Sequence, residues 1–461
     1  MKRFVIAVTG LLLLSLTAQG QAPVSETRYD WSELSRKIAG NTTDKHEQAY
    51  RIYRWLCDNI AYDTSYSIYH SDECFDNRRG VCQAYSELFY RLAEPLGLKV
   101  DIVSGKAKDL HGGIDAMGHA WVFVYMTENS GFLVDPTWGA GSVDGKVFTR
   151  NKSDDSWFDV DPYWMIFSHI PDPEMETYQL LPEKIDFETF KRLPSYRPAY
   201  AAFGQNAQEL LRKCLSGGKP DVPTYYPQML AIADVNNMPL TGTLRVGQYY
   251  DFALRQKTPA EFMIHNGDRY YKSADWQKIQ GHDVCRFMPS EAGKLTVSIK
   301  TGSGDTWSVL AEYTVAKPTA DDIARLEAAE PEHSPALTGL KNFREENLRA
   351  HNVDMARLLK TVKAQRIKSL PMVHTGTKFA INDIPWSGVL RAGETYTFRI
   401  APYEGSRWAV INGDDWYMEW AEDSAARGWT ITVTPKQRGP LYISVESEQN
   451  RFLTCIEYEV E

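Results

Sequence analysis

Three residues in the first half of the chain have the side chains that nucleophilic acyl chemistry needs. Cys82 stands in the segment RRGVCQAY, His119 opens GHAWVFVY, and Asp135 closes FLVD. A thiolate can attack an acyl carbon when a histidine carries the proton and a carboxylate orients the imidazole ring. These residue types predict a Cys-His-Asp triad that works through a thioester on Cys82.

Cys82 lies at the predicted start of a helix that ends near Leu96. A single cysteine on an apolar helix face is most often part of the core. The first turn of a helix favours another role, because its unpaired N–H groups and the helix dipole lower the pKa of a thiol. The same N–H groups can bind the oxyanion that forms when sulfur attacks an acyl carbon.

A predicted β-hairpin carries the other two members of the triad. One strand opens at His119, and the return strand ends at Asp135. A symmetric turn would set Asp135 opposite Phe123, so a bulge or a shifted pairing is needed to bring it to His119. His111, in the glycine-rich segment LHGGIDAMG, is a competing base. His119 is favoured because a strand position is rigid and the aspartate strand follows directly.

The elements around the triad follow the order helices first, strands second. Apolar residues at helical spacing predict a helix from about Lys45 to Asn59, after a cap-like Thr-Thr-Asp. Extended segments are predicted at Lys99–Val103, His119–Met126 and Phe132–Asp135. This order predicts an α+β domain.

The second half of the chain contains an internal repeat. GTLRVGQYYDF at 242–252 aligns with GVLRAGETYTF at 388–398, an offset of 146 residues. Short segments rich in Val, Ile, Tyr, Phe and Thr alternate within each copy, which predicts a small immunoglobulin-like β-sandwich. Another all-β form, such as a half-barrel, remains an alternative. A charged stretch at 318–366 separates the copies, and Leu340–Lys363 within it is predicted to be helical.

Three segments carry a family resemblance. In order, RRGVCQAYSELFYRLAEPLGLKV, GHAWVFVY and FLVDPTWG resemble the core of the transglutaminase-like, papain-related superfamily, whose catalytic residues match Cys82, His119 and Asp135. NIAYD resembles the segment that precedes the cysteine in these domains. WFDVDPYWMIFSHIPDPEMETYQLL resembles the segment that follows the core in the kyphoscoliosis-peptidase-like branch, except that this branch has an aromatic residue after its histidine. His169 in that segment is interpreted as structural.

Two aromatic residues accompany the predicted triad. Tyr62 is a candidate for contact with the substrate or oxyanion, and Trp138 is a candidate wall of the cleft. Packing is the more common role for both residues. No cofactor follows from the sequence, which contains no convincing equivalent of the acidic loops of calcium-dependent cross-linkers. No metal site is expected, since the six cysteines form no C-x-x-C pair and lie at no zinc-finger spacing to histidine.

The net charge and the first residues of the chain limit the kinds of partner that are expected. The chain of 461 residues has a formal net charge of −9, which argues against nucleic acid or an anionic membrane as a main partner. The first residues, MKRFVIAVTGLLLLSLTAQGQA, are typical of a cleaved signal peptide without a lipid-accepting cysteine. The apolar run is too short to span a bilayer comfortably. A secreted or periplasmic protein with no membrane span is therefore expected.

The predicted organisation has five parts. These are a signal peptide at 1–20, a transglutaminase-like catalytic domain at 21–200, a helix plus β-sandwich at 201–317, a helical linker at 318–366 and a second β-sandwich at 367–461. The fold class is α+β followed by two repeated β-sandwiches.

The predicted function is that of an exported cysteine peptidase or amidase. Its substrate would be a protein or peptide, with cell-wall peptide as one possibility, and the sandwiches could bind a glycan or protein. One alternative is a non-catalytic binding or assembly protein, in which Tyr270, Trp276, Trp416 and Trp420 would form a ligand face. A protein cross-linking acyltransferase is another alternative, because it uses the same triad with an amine in place of water.

Overall fold

A computed structural model describes most of the chain. It covers residues 24–109, 111–151, 155–267, 269–271, 275–302, 304–402, 407–423, 428–447 and 451–461. The predicted signal peptide at 1–20 lies outside the described residues. Within the described part, no helix combines the length and the apolar character that crossing a membrane requires.

Helices dominate the beginning of the described chain. They are α1 Ser32–Ala39, α2 Lys45–Asn59, α3 Ser71–Asn77 and α4 Cys82–Ala93, which a 3₁₀ turn at Glu94–Leu96 extends. Asp44 caps α2 by accepting a hydrogen bond from the Glu47 backbone N–H at 2.8 Å, as the cap-like sequence predicts. The predicted bounds of α2 match the structure.

A four-stranded antiparallel sheet follows, and it supports the predicted site. Its strands are β3 Val100–Ala107, β4 His119–Tyr125, β5 Gly131–Val134 and β8 His169–Pro171, in the spatial order β5-β4-β3-β8. Strand β4 is buried from Ala120 to Val124, which indicates that both faces of the sheet are covered at that strand. The α+β order predicted from the sequence is therefore confirmed.

Helix α4 is the central helix of this domain. Six consecutive residues, Ala84–Phe89, are buried, and a helix that is buried nearly all round lies inside a core. Helices α2 and α3 and strand β4 pack against it. The first turn of α4, and with it Cys82, is thus held by surrounding elements on several sides.

Shorter elements complete the first half. They are the parallel pair β1 Ala61–Tyr62 and β2 Arg79–Gly80, helix α5 Pro136–Ala140, the hairpin β6 Gly141–Asp144 and β7 Val147–Arg150, and helices α6 Pro162–Met165, α7 Phe187–Arg192 and α8 Ala207–Leu215.

The first repeat copy consists of two sheets. One has the order β10-β12-β16-β15, and the other has the order β11-β18-β17-β13-β14 with β9 also on β18. The strands are β9 Thr224–Tyr225, β10 Ala233–Asn237, β11 Thr243–Leu244, β12 Tyr250–Gln256, β13 Glu261–Asn266, β14 Arg269–Tyr271, β15 Gln277–Ile279, β16 His282–Phe287, β17 Gly293–Lys300 and β18 Ser308–Val315.

The second copy repeats this topology. One sheet has the order β20-β22-β26-β25, and the other has the order β19-β28-β27-β23-β24 with β21 on β28. The strands are β19 Met372–Val373, β20 Phe379–Asp383, β21 Val389–Leu390, β22 Tyr396–Pro402, β23 Trp408–Asn412, β24 Asp415–Tyr417, β25 Ala421–Asp423, β26 Gly428–Val433, β27 Gly439–Ser447 and β28 Arg451–Val460.

Equivalent contacts join the two sheets of each copy. The rings of Phe252 and Tyr313 lie 6.2 Å apart in the first copy. Their counterparts Phe398 and Tyr458 lie 5.6 Å apart in the second. Phe252 and Phe398 are related by the offset of 146 residues that the sequence revealed. The internal repeat therefore corresponds to two copies of one sandwich, with the same core positions filled by aromatic side chains.

The stretch between the copies is helical but not continuous. It forms α9 Ala320–Ala329, α10 Pro335–Thr338, α11 Glu345–Ala350 and α12 Met355–Gln365. The prediction of helix over Leu340–Lys363 is confirmed for α11 and for α12 but is wrong for residues 340–344 and 351–354. The break between the helices includes Asn352, where φ is +57°, and Asp354 caps the new helix. Helices α11 and α12 pack into the core of the second sandwich.

Residue contacts divide the chain into two compact units. One comprises the described residues up to 243 together with 250–287 and 296–313, and the other comprises 244–249, 288–295 and 314–461. The predicted triad lies entirely in the first unit.

Candidate active site

Cys82 is the first residue of α4. Val81 precedes it in an extended conformation, and no side chain in the described part of the chain caps this helix end. The first N–H groups of α4 therefore keep their capacity to donate. Cys82 is half-buried, so its thiol sits at the edge of the core with a helix N-terminus behind it, as the sequence predicts.

Gly80 allows α4 to start where it does. A Cβ atom at this position would lie 2.8 Å from the Cys74 sulfur and 2.8 Å from the Ala84 Cβ, closer than atoms in a packed core approach. Strand β2 thus runs directly against α3 and α4. This close packing delivers the chain to Cys82 in a defined position.

His119 begins strand β4 and lies opposite Gly105 of strand β3. Gly105 lets the strands pack closely, because a Cβ there would lie 2.1 Å from the Ile170 carbonyl oxygen and 2.7 Å from the Trp121 ring. The sheet is therefore drawn together at the level of His119. The competing base, His111, is exposed in the loop that connects β3 and β4.

Asp135 follows strand β5 and is fully buried. Val134 pairs with Val122, and one further step of this register puts Asp135 beside Trp121. A symmetric turn, with Asp135 opposite Phe123, does not form; the pairing is shifted by two residues, which confirms the prediction that a bulge or a shifted pairing is needed. The shifted pairing makes Asp135 a diagonal neighbour of His119 on one face, which brings their side chains within reach of each other.

The Asp135 carboxylate accepts hydrogen bonds at both oxygens. Oδ2 lies 2.8 Å from Nε2 of His119. Oδ1 accepts from the backbone N–H groups of Thr137 and Trp138, at 2.9 and 3.0 Å, which makes Asp135 the N-cap of helix α5. Burial alone would raise the pKa of this carboxyl group, but the hydrogen bonds and the charge of His119 outweigh burial and lower it. The group is a carboxylate at neutral pH.

The His119 ring and the Ala120 backbone N–H are the groups that lower the pKa of the Cys82 thiol. Because Nε2 of His119 faces Asp135, Nδ1 is the ring nitrogen that remains for the sulfur. Burial by itself would raise the pKa of Cys82, but His119 and the Ala120 N–H lower it overall. For His119, burial opposes protonation, yet Asp135 and Cys82 raise its pKa to about 10. Both shifts favour a thiolate and imidazolium pair.

In the remaining five cysteines the pKa of the thiol is shifted in the opposite direction. All six cysteines are free thiols, and burial raises the pKa of Cys57, Cys74, Cys214, Cys285 and Cys455. Cys82 is thus distinguished from them by its surroundings and not by its residue type.

The two predicted aromatic neighbours both lie beside the triad. Tyr62, at the end of strand β1, is half-buried, and burial together with Cys82 raises the pKa of its hydroxyl. The ring centroid of Trp138 lies 5.5 Å from that of His119. The guanidinium of Arg197 sits over Trp138, 4.1 Å from its ring centroid. Trp138 therefore contacts the imidazole of the triad directly, and Tyr62 lies close enough to Cys82 to be influenced by its charge.

A second histidine also reaches Asp135, and the sequence reading did not place it in the site. Nε2 of His169 lies 3.1 Å from Oδ2 of Asp135. Its Nδ1 lies 2.8 Å from Oγ of Ser168. The sequence predicts a structural role for His169, which lies in the segment SHIP. One feature of the sequence could have placed His169 in the site: it lies in the segment that resembles the one after the family's catalytic core. In the structure, this segment brings His169 beside Ala107 of β3.

His119, Asp135 and His169 also form a cluster of possible metal-binding groups, with donor atoms within 4.8 Å of one another. Both imidazoles point an Nε2 atom at the same carboxylate oxygen. Hydrogen bonds from two N–H groups to one carboxylate account for this geometry. The three side chains therefore form a hydrogen-bonded network around Asp135.

The comparison with protein families agrees with this geometry. Residues 32–162 match the model of the transglutaminase-like superfamily. The first half of the chain thus contains a transglutaminase-like domain, and two repeated β-sandwiches follow it. Membership of the kyphoscoliosis-peptidase-like branch stays a prediction.

Individual proteins show limited similarity. Hillarin of Drosophila melanogaster is 25% identical over 211 residues, which are 39% of this chain and 24% of hillarin. The chain therefore spans about a quarter of the length of the curated relative that it matches.

Solved structures match separate parts of the chain. One is a candidate cysteine protease from Cytophaga hutchinsonii, which is 21% identical with a TM-score of 0.21. The matched region is 23% of this chain and 36% of the chain of that protease. The fibronectin(III)-like modules of Clostridium thermocellum CbhA are 10% identical, with a TM-score of 0.14. The matched region is 50% of this chain and 93% of the chain that contains those modules.

Proposed function

We propose that the protein is an exported cysteine hydrolase that cleaves peptide or amide bonds. The observation that supports this most strongly is the 2.8 Å contact between Nε2 of His119 and the buried Asp135 carboxylate, in a histidine whose ring also lowers the pKa of Cys82. A buried carboxylate that faces a histidine, and a histidine that faces a thiol at a helix start, are the parts that a thiol nucleophile requires. Export rests on the signal-like first twenty residues.

The proposed reaction begins with the thiolate of Cys82. Its sulfur attacks the carbonyl carbon, and the oxyanion that forms accepts hydrogen bonds from N–H groups at the start of α4. The His119 imidazolium gives its Nδ1 proton to the leaving amine, which breaks the C–N bond and leaves a thioester on Cys82. His119 then accepts a proton from water as the water attacks the thioester, and the acid product and the thiolate are released. Asp135 keeps the imidazole ring oriented throughout.

The test compares the protein with a Cys82→Ala variant on a protein digest or a library of peptides. Hydrolysis by the wild-type chain, lost by at least about a thousandfold in the variant, is expected. A Cys57→Ala variant is the matched control, because Cys57 is fully buried and its pKa is raised. Full activity in Cys82→Ala would overturn the proposal.

A second arm distinguishes hydrolysis from acyl transfer. The same digestion is repeated with an added primary amine, and the masses of the products are measured by mass spectrometry. Acid products alone are expected for a hydrolase, whereas amide products that incorporate the amine would show that the thioester is passed to an amine. Dominant amine incorporation would replace the proposed hydrolase with a cross-linking acyltransferase.

A further inference from the structure

We propose that His169 is a positioning residue of the site, which holds the Asp135 carboxylate in place for His119 by donating a hydrogen bond to the oxygen that the two histidines share. This inference rests on the proposed function, since it concerns how the same triad is kept ready. It assigns a role in the reaction to a residue outside the predicted triad.

The first support is the hydrogen-bond geometry around Asp135. Oδ2 accepts from Nε2 of His119 at 2.8 Å and faces Nε2 of His169 at 3.1 Å. Oδ1 accepts from two backbone N–H groups. A carboxylate has about four acceptor positions, and here each of them has a donor. Removal of His169 would leave one position empty in a site that water does not reach.

The second support is the way in which His169 itself is fixed. A carboxylate only accepts hydrogen bonds, so Nε2 of His169 carries the proton. Nδ1 is then the acceptor for the Ser168 hydroxyl at 2.8 Å. The Asp135 carboxylate therefore selects this tautomer, and Ser168, whose hydroxyl also lies 3.3 Å from the Met165 carbonyl oxygen, is compatible with it. The side chain of His169 is fully buried, so this arrangement is held by packing as well.

The third support is the charge environment of His169. Asp135, His119 and Arg197 are the titratable groups that act on it from the elements packed around it, and burial is the largest influence. Burial lowers the pKa of His169 to about 4, and Asp135 only partly opposes this. His119 shares the same carboxylate and has its pKa raised to about 10. One imidazole is therefore neutral and the other is the proton carrier at neutral pH.

Aromatic residues hold the His169 ring. The indole rings of Trp121, Trp138 and Trp157 lie 5.1, 4.4 and 5.4 Å from its centroid. This packing raises a competing explanation, in which His169 serves only to fill space between tryptophans. The two explanations predict opposite results for two substitutions.

His169→Gln and His169→Phe form the matched pair. Glutamine offers an amide N–H near the position of the histidine Nε2 and removes the aromatic ring, whereas phenylalanine keeps the ring and removes the donor. If His169 positions Asp135, kcat falls by about tenfold or more in His169→Phe, and KM changes little. The His169→Gln variant then keeps most of the wild-type kcat. If His169 only fills space, phenylalanine keeps activity and glutamine loses it. His46→Gln and His46→Phe are the controls, because His46 pairs with Asp159 on the surface.

The pH dependence of Cys82 alkylation provides a readout that needs no substrate. The wild-type chain is treated with iodoacetamide from pH 4 to 10, and the Cys82 adduct is quantified. In His169→Phe, the acid limb of this profile is expected to move to higher pH, because a loosely held carboxylate stabilises the imidazolium less. A wild-type Cys82 that reacts no faster than the other thiols would overturn the proposed function. A reactive Cys82 with an unchanged profile in His169→Phe would overturn the positioning role alone.

Histidine NMR decides the matter if His169→Phe does not fold. The full-length protein is labelled with ¹⁵N at its histidine rings, and the His169 signals are assigned by their disappearance in His169→Gln. A neutral ring with its proton on Nε2, unchanged between pH 5 and 9, is expected. A His169 that titrates near the ordinary histidine pKa of about 6.5, or that carries its proton on Nδ1, would overturn the inference.

Discussion

Nε2 of His119 lies 2.8 Å from Oδ2 of Asp135, although the two residues are not paired across the hairpin. Pairing between β4 and β5 ends at Val122 and Val134. The chain then turns into helix α5, whose first N–H groups hold the other carboxylate oxygen. One side chain therefore both starts a helix and orients an imidazole, and the helix start fixes the direction of the carboxylate.

Replacement of Asp135 by asparagine is expected to abolish most activity. Every hydrogen-bond donor to Asp135 is an N–H group, and asparagine has only one oxygen. If that oxygen keeps the backbone donors of α5, the amide NH₂ faces His119 and forces its proton to Nδ1. The ring then cannot accept the Cys82 proton, and kcat is expected to fall by roughly 10³-fold.

Asp159→Asn is the matched control for this prediction, because Asp159 contacts His46 on the surface. Activity in the control should stay within about twofold of the wild-type value. An Asp135→Asn variant that hydrolyses peptide within about threefold of wild type would contradict the assigned role of the carboxylate.

The sequence was enough to predict where Cys82, the proposed nucleophile, lies in the fold. Cys82 lies at the first turn of a predicted helix, and the structure begins α4 at the same residue. Local signals determine such a start, since the chain must turn after Gly80 and apolar residues then recur at helical spacing. The same reasoning predicted α2 and the repeated sandwiches, because each depends on short-range periodicity or on similarity between two segments.

The register and the second histidine depend on long-range contacts. The position of Asp135 depends on which residues of β4 and β5 pair, and periodicity alone does not choose between registers that differ by two residues. His169 lies on β8, which joins the sheet through Ala107 of β3 only after a long excursion of the chain. A strand that arrives from so far along the sequence has no local pattern to indicate its neighbour.

Cys82 is expected to react with iodoacetamide at a pH at which the other five cysteines do not react. His119 and the Ala120 N–H lower the pKa of the Cys82 thiol despite burial, whereas burial raises the pKa of Cys74 to about 12 and that of Cys455 to about 11. A thiolate population should therefore be present below the ordinary thiol pKa of about 8.5. Peptide mapping after brief alkylation at pH 6 measures it.

The pH profile of hydrolysis should differ from that of alkylation on its alkaline side. Above a pH of about 10, His119 loses its proton and can no longer protonate the leaving amine, so hydrolysis should fall. Alkylation needs only the thiolate, so it should stay high. Two profiles that decline together above pH 10 would indicate unfolding or a different proton donor.

A methyl group at Gly105 is expected to destabilise the first unit. The added Cβ would lie 2.1 Å from the Ile170 carbonyl oxygen, which belongs to the neighbouring strand β8. Strands β3 and β8 would have to separate, at roughly 2–4 kcal/mol in the free energy of unfolding. Urea denaturation of Gly105→Ala measures this. Gly304→Ala is the control, because a Cβ there would meet open space, and a similar loss in both variants would refute the steric explanation.

The second unit is expected to lose stability in acid through Glu345. His333, at 3.4 Å, and Arg349, at 2.7 Å, contact its carboxylate. Its hydrogen bond with His333, followed by that with Arg349, outweighs burial and lowers the pKa of Glu345 to about 2. A carboxyl group whose pKa is lower in the folded state stabilises the fold above its unfolded pKa of about 4.3, and this contribution disappears as the pH falls toward 2.

The size of this effect is set by the partial exposure of the group. Solvent screens the charges, so the contribution should be about 1 kcal/mol or less. Thermal unfolding of wild type and Glu345→Gln between pH 7 and pH 2 measures it: the two should differ at pH 7 and converge in acid. Glu346→Gln is the matched control, because the neighbouring Glu346 is exposed at the same helix start. A difference between wild type and Glu345→Gln that grows as the pH falls would have the wrong sign and would remove Glu345 as the cause.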